Sequence, residues 1–155
     1  MKDLIADVSD EQRRGRVKPG GIKRFMDGSI SNRTAWLKGP YPGSDDHGMA
    51  TLTDDVRQAG YEWASRNNVQ MVFHVMGDRG IRLVIDFFVD REPWMAGGVR
   101  SVRVDHATLL DKDQIRQMDD AKMTFGWQPR SSSSSSSTTP ASGNFRRHTT
   151  STRTR

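Results

Sequence analysis

Two histidines stand at matching positions in the sequence. His74 ends the apolar run VQMVFH, and His106 ends the run VRVDH 32 residues later. Because that distance is about one strand–helix unit, the two runs are predicted to be neighbouring parallel strands, about 4.8 Å apart. Ligands of α/β sheets and barrels bind at the carboxyl ends of the strands. Two imidazoles placed there could bind one metal ion through ring nitrogens, or each could simply hydrogen-bond to a loop.

Lys23 is unusual because it lies inside an apolar segment, GIKRFMDG. Burying a lysine is costly unless its charge is paired or neutralised, so Lys23 is predicted either to pair with Asp27 or to point outward from an edge strand. A neutral amine in a polar cavity could instead react with CO₂ to give a carbamate, a carboxylate that binds metals. Asp105 precedes His106 and is predicted to face the opposite side of that strand, which argues against Asp105 as a ligand.

The elements that would position these residues alternate along the chain. Strands are predicted at 22–26, 69–75, 102–106 and 123–127. Helices are predicted between them: one capped by Thr53 and ended by Asn67-Asn68, one opened by Gly77-Asp78 and stopped by Pro93, and a shorter one capped by Asp111. This alternation is typical of right-handed βαβ units and a parallel sheet. Four strands and three helices make either a small open α/β sheet or half of a (β/α)₈ barrel, and the pattern alone does not separate the two.

Hydrophobic spacing predicts which helix residues face the core. The inward-facing residues are Val56, Ala59, Gly60, Trp63 and Ala64 in the first helix, Ile81, Val84, Ile85, Phe88 and Val89 in the second, and Ile115 and Met118 in the third. Before the first helix, residues 29–52 form a long loop rich in Gly, Pro and Asp. Loops of that length in compact domains are usually functional lids or binding loops.

The composition divides the chain into three parts: a polar segment 1–20, an α/β region 21–129 and a tail 131–155. The tail holds 15 Ser or Thr and four Arg, and removing those four charges from the net charge of +5 leaves +1. We predict that the tail is disordered, because it has too few apolar residues to bury. The sequence has no cysteine, which excludes disulfides, thiolate catalysis and Cys-ligated zinc. Neither a membrane span nor a signal peptide is predicted, so a cytoplasmic location is expected.

Three segments together carry a family resemblance. GGIKRFMDGSISNRTAWLKGPY, MVFHVMGDRGI and RVDHATLL, in this order and spacing, resemble the amidohydrolase superfamily, in particular its YtcJ-like branch (amidohydrolase family 3), over residues 15–129. The resemblance implies a partial TIM-type (β/α)₈ barrel, about strands four to seven with the intervening helices. It also implies metal-dependent hydrolysis of non-peptide carbon–nitrogen bonds. The expected substrate is a small amide or formamide, and the expected cofactor is a divalent metal, with zinc as the default.

The resemblance also implies roles for individual residues. Lys23 matches the lysine that ends the fourth barrel strand, a candidate carboxylated metal ligand. His74 and His106 match the metal-binding histidines of the fifth and sixth strands. A further three residues, Asp27, Arg33 and Thr34, belong to the matching loop over the active site, where they would shape the loop or contact substrate.

Two features of the family are missing from the sequence. It contains no HxH motif, which the family carries on the first barrel strand, and it departs from the family pattern at Gln128-Pro129, before the aspartate that serves as the usual general base. We therefore expect a truncated copy with weak metal binding and little hydrolysis by this chain alone, and its general base is unknown.

Two alternatives to a hydrolase stay open. One is a non-catalytic α/β remnant that binds a partner or forms a homo-oligomer through open sheet edges. The other is a small open-sheet module whose basic tail touches nucleic acid non-specifically. Neither a specific nucleic-acid site nor a membrane contact is expected.

Overall fold

The computed structural model describes residues 7–126 of the chain. The predicted disordered tail, residues 131–155, lies outside the described residues. Four helices and four strands follow one another in the order α1 (Asp10–Arg14), β1 (Gly21–Phe25), α2 (Asp54–Asn67), β2 (Gln70–Val75), α3 (Asp78–Phe88), β3 (Val102–His106), α4 (Lys112–Asp120) and β4 (Thr124–Gly126). The predicted alternation of strands and helices is confirmed, with strand ends shifted by a residue or two.

The four strands form one parallel sheet in the order β1-β2-β3-β4. Each strand therefore pairs with the strand that precedes it along the chain, and successive right-handed crossovers place the intervening helices on one face. A doubly wound sheet differs, because its strand order reverses at a switch point. The α/β fold with a parallel sheet is confirmed, and its winding is consistent with part of a (β/α)₈ barrel.

The hydrophobic core lies between the sheet and the helices. Alternate residues of β2, namely Met71, Phe73 and Val75, are fully buried against side chains of α2, α3 and α4. The opposite face of the sheet carries Lys23 and Phe25 of β1, His74 of β2, and Arg103 and Asp105 of β3, by strand alternation and register. We call this surface the open face. Within residues 7–126 no helix packs against it, and Phe25 is 58% exposed.

The buried face of α2 differs from the predicted one. Gly60 and Ala64 are buried as predicted, but Ala59 is exposed, and Arg57 and Asn67 are buried in its place. The Arg57 guanidinium lies 4.6 Å from the centre of a phenylalanine ring on α3 and pairs with a carboxylate on its own helix at 2.8 Å. Arg57 therefore occupies an inward position that a hydrophobic pattern does not detect, although its buried Nε and Nη1 atoms have no hydrogen-bond partner.

The buried face of α4 also differs. Met118 is 1% exposed, as predicted, whereas Ile115 is 42% exposed and the prediction that it faces inward was wrong. Gln114 takes the inward place, because its amide donates to the Asp78 carbonyl at 3.0 Å and its oxygen accepts from the Asp111 N–H at 3.1 Å. The first of these hydrogen bonds ties α4 to α3, and the second belongs to the capping box at the start of α4.

The second predicted helix ends earlier than expected. Ile81, Val84, Ile85 and Phe88 are buried as predicted, but α3 stops at Phe88, several residues before the proline, and Val89 is exposed. None of the helices in residues 7–126 is long and apolar enough to span a membrane.

Truncating the two apolar side chains of α4 tests its rotation. We expect Met118→Ala to lower the free energy of unfolding by about 2–5 kcal/mol, because it leaves a cavity in the core. Ile115→Ala should change it by less than about 1 kcal/mol, since Ile115 is 42% exposed and its truncation leaves no enclosed cavity. Urea titrations of both variants make the measurement. Equal losses would show that the helix is rotated toward the sequence-predicted face.

Candidate functional site

The two histidines meet at the carboxyl end of the sheet. Their ring centroids are 4.6 Å apart and the ring planes make an angle of 69°. In the strand register His74 faces Asp105, while His106 faces Val75, a core residue. His106 reaches His74 because the strand geometry stops there: its φ is +75°, and that of Ala107 is +41°. Such left-handed backbone is uncommon outside glycine and redirects the side chain.

This backbone turn corrects the argument against Asp105. Strict alternation would place Asp105 and His106 on opposite faces, but alternation ends at His106. Asp105 lies on the open face beside His74, and the two are partners in the register. The structure therefore brings the Asp105 carboxylate to the open face, where it pairs with Lys23 and Arg103. The left-handed conformation of His106 leaves no signal in the sequence, because a histidine can adopt it without any characteristic pattern around it.

Lys23 points outward from β1, an edge strand of the described sheet, and pairs with Asp105. Of the two predicted options, the structure therefore shows the outward one and not a pair with Asp27. The Lys23 Nζ atom lies 2.9 Å from Asp105 Oδ2, and Arg103 Nε lies 2.9 Å from Asp105 Oδ1. Since Lys23 is on β1 and Asp105 on β3, this ion pair spans the open face across β2. Partial burial acts to raise the pKa of Asp105, but the hydrogen bonds from Lys23 and Arg103 outweigh it, and the pKa lies below its usual value.

His74 is oriented by contacts on two sides. Its Nε2 atom lies 3.0 Å from the Gly28 carbonyl oxygen, so Nε2 carries the proton and donates. The other ring nitrogen, Nδ1, is then the one with a free lone pair. The Phe25 ring packs against the imidazole with centroids 4.7 Å apart and an angle of 31° between the planes.

Asp27 is buried beneath the loop that follows β1. It is 1% exposed, and its two carboxylate oxygens accept backbone hydrogen bonds from Trp36 (3.0 Å), Met76 (2.9 Å) and Gly77 (2.8 Å). Burial raises the pKa of Asp27, and the three N–H donors act against that rise. Of the two roles expected for Asp27, these contacts describe the shaping of the loop.

Thr34 and Arg33 lie on the same loop. The Thr34 hydroxyl oxygen accepts from the Ser29 N–H at 3.0 Å, and the Thr34 carbonyl accepts from the Gly28 N–H at 3.1 Å. Arg33 has a left-handed φ of +53°, and its N–H donates to the Ile30 carbonyl at 3.1 Å. Thr34 therefore contacts the backbone that holds His74, whereas the side chain of Arg33 is exposed.

The residues fit part of a metal ligand set. Two imidazoles from neighbouring strands suit zinc or a similar ion, but a zinc site uses three or four protein ligands. Within residues 7–126, no group of three or more His, Asp or Glu side chains is arranged to hold a metal ion. Lys23 is paired with Asp105 in this arrangement, and His74 and His106 are two imidazoles in contact at the strand ends.

A sequence model described as "Amidohydrolase family" matches residues 2–150. The chain belongs to the amidohydrolase family. The match includes Lys23, Asp27, His74 and His106, and it runs past Pro129, where the sequence analysis placed the end of the resemblance.

Individual relatives agree with the family assignment. The "Putative amidohydrolase YtcJ" of Bacillus subtilis (strain 168) is 28% identical over 116 residues, which are 73% of this chain and 21% of that protein. A crystal structure of an uncharacterized metal-dependent hydrolase from Pyrococcus horikoshii OT3 has a TM-score of 0.59 and 26% identity, covering 72% of this chain and 22% of that one. Its counterpart from Pyrococcus furiosus has a TM-score of 0.59 and 28% identity, covering 72% and 23%. The chain spans about a fifth of the length of these relatives.

Removing the negative charge of Asp27 tests its structural role. Asp27→Asn places an amide NH₂ where an oxygen accepts backbone N–H groups, so at least one buried N–H loses its acceptor. We expect the free energy of unfolding to fall by about 1–3 kcal/mol in urea titrations. Asp45→Asn, at an exposed position of the same loop, is the control and should change it by less than about 0.5 kcal/mol. Equal effects of the two substitutions would contradict the assignment.

The ion pair on the open face predicts a pH dependence. Because the folded state lowers the pKa of Asp105, the stabilisation is complete above its unfolded value of about 4 and is lost as the pH falls through the folded value. We expect Asp105→Asn to be less stable than the wild type at pH 7, by at most about 1 kcal/mol since Lys23 is half-exposed, with a smaller difference at pH 3. Asp113→Asn, which removes an exposed pair within α4, is the control. A difference that grows on acidification would refute the assignment.

Proposed function

We propose that this chain supplies part of the metal centre of a hydrolase that cleaves non-peptide carbon–nitrogen bonds in small amides or formamides. The observation that carries the proposal is the contact between His74 and His106 at the carboxyl ends of neighbouring parallel strands. Support comes from the membership of the amidohydrolase family and from the similarity to crystal structures described as metal-dependent hydrolases. We further propose that the sheet is a sector of a (β/α)₈ barrel, about strands four to seven.

His74 and His106 would hold a divalent metal, with zinc as the default for imidazole ligands. When bound, such an ion polarises the scissile carbonyl and generates a hydroxide nucleophile from water near neutral pH. The chain itself prepares His74, because the Gly28 carbonyl holds the proton on Nε2 and leaves Nδ1 free to bind. Phe25 packs against the same ring and limits its rotation.

Lys23 would be a third ligand if its amine were carboxylated. Register and alternation place it on the same face as His74, one pleat closer to the amino end of the sheet. Carboxylation would replace its cation with an anion and so would break the pair with Asp105. Arg33, exposed on the adjoining loop, is the residue we propose for contact with substrate. The remaining ligands and the general base would come from segments outside residues 7–126.

A second candidate is a non-catalytic interaction module. It is favoured by the exposure of Phe25 on β1 and Phe125 on β4, which lie on the two edge strands of the described sheet. Edge strands with exposed aromatic residues are typical of surfaces that pair with another chain. In this case the chain would form a homo-oligomer or bind a partner and hold no metal.

Metal stoichiometry of the purified full chain separates the two candidates. We expect weak binding of about one equivalent of zinc in equilibrium dialysis against zinc, lost in the His74→Ala/His106→Ala double variant, because that variant removes both described ligands. His47→Ala is the matched control. The Nδ1 atom of His47 lies 3.3 Å from the Leu37 carbonyl, on the loop between β1 and α2, and its removal should leave the stoichiometry unchanged.

Two results would refute the metal proposal. One is a folded wild-type chain without bound metal, and the other is zinc that remains in the double variant. Circular dichroism establishes that each sample is folded. Light scattering on the same samples reports the molar mass, and a metal-free oligomer would support the interaction module.

A further inference from the structure

One peptide unit links the Thr34 side chain to His74. The peptide between Gly28 and Ser29 contributes the Gly28 carbonyl, which accepts from His74 Nε2 at 3.0 Å. The same peptide contributes the Ser29 N–H, which donates to the Thr34 hydroxyl oxygen at 3.0 Å. In a planar trans peptide the C=O and N–H bonds point in opposite directions. Thr34 and His74 therefore hold the two ends of a single rigid group.

The Thr34 hydroxyl consequently sets the direction of the Gly28 carbonyl. Rotation of this peptide unit would break both hydrogen bonds at once. Two further backbone hydrogen bonds fix Thr34 relative to the unit: Gly28 N–H to the Thr34 carbonyl at 3.1 Å, and Thr34 N–H to the Ser29 carbonyl at 3.0 Å. When the N–H of a peptide donates a hydrogen bond, the carbonyl of the same peptide becomes more polarised and is a stronger acceptor.

Close packing shows that the position of the hydroxyl is specific. A Cβ atom on Gly28 would lie 2.0 Å from Thr34 Oγ1 and 2.5 Å from Thr34 Cβ. Only glycine at position 28 lets the threonine side chain approach the peptide this closely. The geometry points to Thr34 as a positioning residue for His74, acting through the Gly28–Ser29 peptide so that the imidazole keeps its proton on Nε2 and presents Nδ1 at the site. The consequence for metal binding rests on the function proposed above.

The exchange rate of the His74 Nε2 proton tests the positioning directly. In the metal-free full chain at pH 8, this proton is followed by ¹H–¹⁵N NMR. We expect Thr34→Val, which keeps the side-chain shape but loses the acceptor, to exchange it about fivefold faster. Thr34→Ser restores a hydroxyl and should return the rate to near the wild-type value.

A matched control separates positioning from general loosening of the loop. The Thr51 hydroxyl donates to the Phe25 carbonyl at 2.9 Å, on the same loop, and the Gly28–Ser29 peptide is not its partner. Thr51→Val should therefore leave the exchange rate unchanged. For zinc affinity, measured by competition with a chelator, we expect a loss of about 10- to 100-fold in Thr34→Val and none in Thr51→Val.

The proposal is overturned if ¹⁵N shifts place the wild-type His74 proton on Nδ1. It is also overturned if Thr34→Val and Thr51→Val change the exchange rate equally, or if Thr34→Ser does not restore it. Should the wild-type chain bind no zinc, the proposed function fails, while the exchange comparison still decides whether Thr34 positions His74. The two failures are thereby distinguishable.

Discussion

The buried carboxylate of Asp27 joins the loop after β1 to the turn between β2 and α3. Its oxygens accept N–H groups from the loop after β1 and from the turn between β2 and α3, which lie at the same end of the sheet. A carboxylate can accept several hydrogen bonds at once, so one residue satisfies donors from segments far apart in sequence. Gly77 also packs closely beneath Trp36. A Cβ atom at position 77 would lie 2.0 Å from the Trp36 carbonyl oxygen, so only glycine fits there. The loop is thereby held over the strand ends, and the Gly28 carbonyl is held against His74.

The two faces of the sheet follow from the winding. With each strand beside its predecessor, the crossovers bury Phe73 and its neighbours under helices, and the other face carries polar residues together with Phe25 and Val72. On that open face, Lys23 and Arg103 pair with Asp105 from separate directions. The Lys23 and Arg103 side chains are each 45% exposed, and Asp105, which is 19% exposed, neutralises part of that cationic cluster. Carboxylation would turn the Lys23 ammonium group into an anion, so carboxylation of Lys23 and its ion pair with Asp105 exclude each other.

The incomplete ligand set agrees with the share of the family that the chain covers. Two histidines come together, and the described residues supply no third His, Asp or Glu to the cluster. The chain matches about a fifth of the length of its relatives. In barrel enzymes the residues of the site come from the ends of several different strands. Family membership and the positions of the histidines therefore support the same proposed chemistry. Neither identifies the further metal ligands or the general base.

Local patterns in the sequence determined the order of the strands and helices, the parallel sheet and the identity of the histidine pair. Each of these depends on spacing along the chain, which residues near each other in sequence encode. Tertiary structure decided the rest. Ile115 faces water because Gln114 hydrogen-bonds across to α3, and Lys23 meets Asp105 rather than Asp27 because the parallel register brings β1 and β3 to either side of β2. The left-handed backbone at His106 turns its ring toward His74, and alternation along a strand cannot predict where the strand geometry ends.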